Sequence, residues 1–164
     1  MIFVTVGTQL PFDRLIRAMD SWASAHPDTA VFAQTGQLTA RNHTPQHMDH
    51  APNLSPEAFD EKCRNAQLIV AHAGTGSLMT AHSAGTPLLM MPRRADLGEH
   101  RNDHQRATAD RFGQRQGIHV AWDETTLPAA IQAALNAPNV APQLGTSADD
   151  NLIHALRDVI FAQR

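Results

Sequence analysis

LIVAHAGTGSLMTAHSAGTPLLMMP, residues 68–92, is read first because it contains one full turn of the chain's repeating pattern. Leu68 to Ala71 is a short apolar run, as expected of a buried strand. HAGTGS, residues 72–77, is its exit loop, and a helix follows to about Ala84. Gly85 suits the position just past a helix end, and Pro87 follows where a helix cannot continue. Residues 87–91 begin another strand. Both strands are continuously apolar instead of alternating, which marks strands buried on both faces of a parallel sheet.

The same alternation extends in both directions. Upstream, residues 2–6 form a strand ending at Gly7-Thr8, and Phe12, Leu15, Ile16, Met19, Trp22 and Ala23 then recur at helical spacing, with Pro11 expected in the first turn. A second strand is expected over 29–34. Residues 35–53 are polar, with a short strand around 47–50. Ser55-Pro56-Glu57 reads as a helix start, with a capping hydroxyl, a proline at the first position and an acid near the positive end of the dipole. That helix should reach Asn65. Downstream, 93–99 is a polar loop, 100–116 a helix and 118–121 the last strand. Helices are expected over 127–136 and 148–162, the latter carrying the stripe Leu152, Ile153, Leu156, Val159 and Ile160. The fold expected is α/β: a Rossmann-like parallel sheet with helices on both faces, in a single domain over 1–164. Such sheets bind ligands at the carboxyl ends of their strands, at a topological switch point. The loops that matter are therefore 7–12, 35–37, 52–56, 72–77 and 92–105.

Composition agrees with a folded chain of ordinary size. Its 164 residues are 42% hydrophobic and 18% charged, with a net charge of −3. That balance disfavours nucleic-acid binding through backbone neutralisation. The 13 basic residues are 12 Arg and Lys62. Cys63 is the one cysteine, which excludes an intramolecular disulfide and a Cys-rich zinc site. No apolar run approaches the ~20 residues of a membrane span. The start MIFVTVGTQLPFDR lacks a basic, long-apolar leader. A cytoplasmic protein without a membrane segment of its own is expected.

The chemistry-bearing signals are two. Gly74 and Gly76 allow a tight turn and a close backbone approach, and the free N–H groups of the next helix suit a phosphate. Thr75 and Ser77 add hydroxyls, and His72 at the strand end can hydrogen-bond a phosphate oxygen. No Lys follows, so this is not a Walker loop. Met79 occupies the third glycine position of the dinucleotide fingerprint, so it is not that motif either. The plainer reading is a glycine turn packing helix on sheet, with Ser77 as a cap. The second signal is PRRADLGEHRNDHQ, residues 92–105, where Glu99, His100, Asn102, Asp103, His104 and Gln105 crowd donors and acceptors together, as sugar hydroxyls require. The plainer reading there is a solvated helix start. His43, His47 and His50 match no firm zinc spacing and read as polar-loop histidines, so no metal site is expected. Cys63, between Lys62 and Arg64, reads as a packing residue despite the neighbouring cations.

Together, MIFVTVGTQLPFDRLI, NLSPEAF and the run from LIVAHAGTGS to HRNDHQ resemble the small PssE-type glycosyltransferase subunits of bacterial exopolysaccharide synthesis. They are similar as well to the small soluble subunit of the eukaryotic enzyme that adds the second GlcNAc to lipid-linked oligosaccharide. More distantly, they resemble the C-terminal half of MurG and the nucleotide-sugar domain of GT-B transferases. The resemblance covers roughly residues 1–122. It implies that His72 and Gly74, Thr75, Gly76 and Ser77 form the diphosphate turn, with Gly7 and Thr8 facing it from the first loop. Leu54, Ser55 and Pro56 fall where relatives hold the base. Asn102, His104 and Gln105 fall where relatives read the donor sugar. One position departs from the pattern: Thr80 stands where many relatives carry a ribose-binding Glu, so ribose falls to Thr80, a water or another loop.

The resemblance further implies a function. The chain would be the donor-binding catalytic subunit of a two-component, inverting UDP-sugar glycosyltransferase, adding a hexose to a lipid-linked acceptor. UDP-sugar would be the substrate, with no cofactor and no metal. The acceptor site, the catalytic base and the membrane anchor would come from a partner subunit, holding this chain at the inner face of the membrane. His72 and the helix N–H groups would stabilise the departing diphosphate. The alternative is a non-catalytic nucleotide-binding or regulatory module. A nicotinamide dehydrogenase is disfavoured because no acid-ended second strand follows a GxGxxG loop.

Overall fold

The computed structural model of the protein describes residues 1–8 and 10–144. In chain order the elements are β1 (Ile2–Thr5), α1 (Asp13–Ala25), β2 (Val31–Gln34), β3 (Asp49–Ala51), α2 (Pro56–Asn65), β4 (Leu68–His72) and α3 (Thr75–Ala84). There follow β5 (Leu88–Met91), a short 3-10 turn (Ala95–Leu97), α4 (His104–Phe112), β6 (Ile118–Val120) and α5 (Leu127–Asn136). The six strands make one sheet in the order β3-β2-β1-β4-β5-β6, and every pairing is parallel. The order reverses between β1 and β4, so the crevice that such a sheet offers a ligand lies beyond their carboxyl ends.

Strand alternation divides the core between the two faces. Ile2, Val4, Val31, Ala33, Leu68, Val70, Leu89 and Met91 meet Leu15, Ile16, Met19 and Trp22 of α1 and Leu127 and Ile131 of α5. Phe3, Ile69, Ala71, Leu88 and Met90 meet Cys63 of α2, Leu78 and Ala81 of α3, and Ala109 and Phe112 of α4. Each such large side chain, fully buried, stabilises the fold by about 1.5–3 kcal/mol. Burial of both faces is why these strands read as unbroken apolar runs.

Helix ends follow local chemistry. Ser55 caps α2 by accepting from the Ala58 N–H at 3.2 Å, with Pro56 in the first turn, as the sequence indicates. Helix α3 stops at Gly85, which adopts a left-handed conformation. Four elements differ from expectation at a boundary by two residues or more. Strand β2 starts at Val31, because the Thr29 N–H is taken by the His26 carbonyl in a turn. Helix α1 begins at Asp13, leaving Pro11 in the preceding loop, where its carbonyl is used by Arg93. The short third strand is shifted to Asp49–Ala51 by its register with β2, Phe32 opposite Asp49. Helix α4 spans only His104–Phe112, because the side chains ahead of it make local bonds that compete with helix: His100 Nδ1 lies 3.1 Å from Asn102 Oδ1, and Asn102 Oδ1 accepts from the His104 N–H. The helix expected over 148–162 lies outside the described residues.

The polar stretch before β3 is anchored from α1. Asp20, buried on the inner face of that helix, accepts from the backbone N–H groups of Gln46 at 2.9 Å and His47 at 2.7 Å. Its other oxygen lies 2.7 Å from His43 Nε2. Two of the three histidines considered as metal ligands thus neighbour this carboxylate, while His50 is exposed on β3. Among the described residues, no helix is long and apolar enough to cross a membrane.

Candidate functional site

Helix α3 starts immediately after β4, so its first N–H groups open onto the switch point. The N–H groups of Thr75, Gly76 and Ser77 have no hydrogen-bond partner among the described residues; the first helical bond is Leu78 N–H to Gly74 O, at 3.2 Å. Gly74 is the N-cap and offers no side chain to satisfy them. Three aligned, unsatisfied donors at the positive end of a helix dipole form an anion cradle. Thr75 and Gly76 are exposed, so the cradle is accessible.

His72 joins this cradle to the first loop. A Cβ on Gly74 would meet His72 Nε2 at 2.5 Å, and a Cβ on Gly7 would meet His72 Cε1 at 2.8 Å. Both loops therefore need glycine for the imidazole to sit between them, and Gly7 additionally has φ +78°, a region L side chains rarely adopt. Ser77 Oγ, on a buried side chain, lies 3.4 Å from His72 Nδ1. Burial, then the nearby charges of Arg93 and His100, push the His72 pKa down to about 4. The ring is thus neutral at physiological pH, with one N–H to donate. Its contribution to an anion is a hydrogen bond and not a cation. Thr8 is exposed at the rim of the same crevice.

The remaining site residues fall in different places. Leu54 is half-buried against the core, and exposed Ser55 and Pro56 start α2 beyond the end of β3. Thr80, one turn into α3, lines a cavity of about 300 Å³ between α2 and α3, with Asp60, Cys63 and Met79. His104 is exposed at the start of α4, and Asn102 is half-buried in its turn with His100. Gln105 is buried, and its Oε1 accepts from the Arg93 N–H at 3.1 Å, so at least that oxygen serves the fold. The Cys63 thiol is buried, and burial together with Asp60 pushes its pKa up to about 12, the reverse of activation. A larger cavity, about 500 Å³, lies away from the switch point between α1 and the Glu124–Pro128 region, lined by Trp22 and His26. The α3 donors, His72 and the two glycine loops converge at the switch point instead.

Sequence reasoning missed the brace behind the site. Arg93, directly after β5, is 2% exposed. Its guanidinium donates to the carbonyls of Val6 at 2.9 Å, Leu10 at 2.7 Å and Pro11 at 2.6 Å, and lies 4.5 Å from the Phe12 ring centre. Glu99 is held bidentately by Arg14, at 2.7 and 2.8 Å, and accepts from the Arg94 N–H. Much of the polarity in 92–105 is therefore internal. An Arg placed directly after a buried apolar strand, with Pro before it, was the available signal.

Comparison with known proteins bears on the family and the fold. The sequence matches the Glycosyltransferase family 28 C-terminal domain over residues 1–159. It matches no curated protein. Among solved structures, the fold is similar to the glycotransferase of kitacinnamycin, with a TM-score of 0.60 at 17% identity over 84% of this chain and 35% of that one. MurG of Acinetobacter baumannii gives 0.59 at 18% identity, over 82% of this chain and 41% of that one. ALG13 gives 0.62 at 17% identity, over 98% of this chain and 96% of that one. The chain thus spans about a third of the first of these proteins and two-fifths of the second. By its sequence match and its all-parallel, Rossmann-like fold, the chain belongs to the glycosyltransferase family 28 C-terminal domain family.

Proposed function

We propose that this chain is the donor-binding half of a two-component UDP-sugar glycosyltransferase of the PssE type, transferring a hexose to a lipid-linked acceptor in exopolysaccharide synthesis. The observation that carries the reading is the cradle of Thr75, Gly76 and Ser77 N–H groups at the switch point, with neutral His72 between Gly7 and Gly74. In the reaction, the acceptor hydroxyl oxygen attacks the anomeric carbon from the face opposite the diphosphate. The bond from that carbon to the phosphate oxygen breaks, and its electron pair leaves with UDP. The hydroxyl proton passes to a base on the acceptor side. This chain's part is electrostatic: α3 N–H groups and the His72 N–H stabilise charge gathering on the leaving diphosphate. On this reading Leu54–Pro56 contact the base, ribose falls to Thr80, a water or another loop, and Asn102, His104 and Gln105 read the sugar, Gln105 while also holding their loop through Arg93. The partner subunit, the acceptor and the location at the inner membrane face are carried over from the resemblance of the quoted motifs.

Calorimetric titration of the purified chain with UDP and with NAD tests the donor site. UDP is expected to bind and NAD not to; the reverse preference would sink the assignment. Coexpression with a candidate membrane-anchored glycosyltransferase subunit, followed by a transfer assay, tests the catalytic role. UDP binding without any transfer in that complex would make the chain a nucleotide-binding module only.

A further inference from the structure

Arg93 is an expensive residue to bury. Among the described residues it forms no ion pair: the Glu99 carboxylate, whose charge still acts on it, is bonded to Arg14 and the Arg94 N–H. A buried cation without a counter-charge costs several kcal/mol unless something compensates. Three carbonyls of the first loop do so in part, and all three lie on the short segment between β1 and α1 that carries Gly7 and Thr8. The Arg93 backbone is in turn fixed by Gln105, so the chain of contacts runs from α4 through Arg93 to the loop facing the cradle.

We infer that Arg93 is a positioning residue of the donor site, shaping the first loop around His72 and supplying the resident positive charge that a diphosphate meets. The inference rests on the donor-site reading above. Geometry explains why Arg is needed. One planar fork reaches carbonyls of residues 6, 10 and 11 at once, which a lysine ammonium on a flexible stem does not reproduce. The field of the guanidinium reaches the site itself, since it is one of the charges that hold His72 neutral. Desolvation lowers the Arg93 pKa to about 10, still high enough to keep it charged at physiological pH. The loop carbonyls and the Glu99 charge offset this cation only in part, and in a low-dielectric setting the remaining field favours an incoming anion.

The test uses the whole chain, with UDP and uridine as probes, in wild type, Arg93→Met and Arg93→Lys. Arg93→Met is expected to weaken UDP by at least about tenfold while leaving uridine within about twofold, because only UDP carries the charge. Arg93→Lys is expected to fall between, about three- to tenfold weaker for UDP, since it keeps the charge and loses the fork. The His72 titration, followed by NMR without nucleotide, is expected to move up toward 6.5 in Arg93→Met and to stay near its wild-type position in Arg93→Lys. If Arg93→Met does not fold, Arg93→Lys decides by the same comparison of UDP with uridine. UDP affinity within about twofold of wild type in the folded variants, or equal losses for UDP and uridine, overturns the inference while leaving the donor site standing. A wild-type chain that binds no UDP overturns the donor-site reading and this inference with it.

Discussion

The imidazole of His72 occupies space that two loops leave for it, and the cost of disturbing that arrangement is specific. Gly74→Ala places a methyl 2.5 Å from Nε2, so either the ring or the cradle must shift. UDP binding is expected to fall by at least about tenfold, read by calorimetry, because loss of a hydrogen bond to a charged group is worth about 1.5–3 kcal/mol. The ring also makes stability depend on pH. Unfolded, it takes up a proton near pH 6.5; folded, it resists until about pH 4. The unfolded chain therefore binds more protons across that window, and stability declines as pH falls from 6.5 to 4, by up to about 3 kcal/mol from this group. Urea unfolding at pH 7 and pH 4.5 should show the decline in wild type and a smaller one in His72→Gln. Asp20 acts lower on the scale: backbone donors and His43 outweigh burial and hold its carboxyl below the ordinary 3.8, so its contribution is lost only below that pH.

At the scale of elements, the sequence showed the strands and most helix starts because their causes are local. Ser55-Pro56-Glu57 carries its own cap, and Leu68 to Ala71 is apolar because both faces are covered. The misplaced boundaries have long-range or competing causes. Helix α4 was expected four residues early because residues 100–103 hold no glycine or proline to mark its start, while His100 and Asn102 bond each other in a turn. The role of Gln105 was hidden because its partner, the Arg93 N–H, lies twelve residues away at a strand end. The cradle was legible, since glycines between a strand and a helix leave donors unsatisfied wherever they occur; the brace was not, since no local rule tells which carbonyls an Arg will find. The anchoring of residues 43–47 by Asp20 shows the same limit, being visible only as one acid beside an apolar stripe. Asp20→Ala removes the acceptor shared by His43, Gln46 and His47 at a buried site and should destabilise the chain by about 2–4 kcal/mol in urea unfolding. A loss below about 0.5 kcal/mol would show that the loop stands without its anchor.

For the molecule as a whole, the account makes one claim: nucleotide binds where the strand order reverses, with its diphosphate on the start of α3. Of the cavities elsewhere, the one beside α1 and the one between α2 and α3 are the alternatives weighed against it, and each would give a different map. Titration of UDP into isotopically labelled protein, followed amide by amide in nitrogen–proton NMR spectra, separates the three. The account predicts the largest shifts at Thr75, Gly76 and Ser77, with Gly7 following and Trp22 and His26 unmoved. Shifts centred on Trp22, His26 and Glu124, with the α3 amides unchanged, would contradict it.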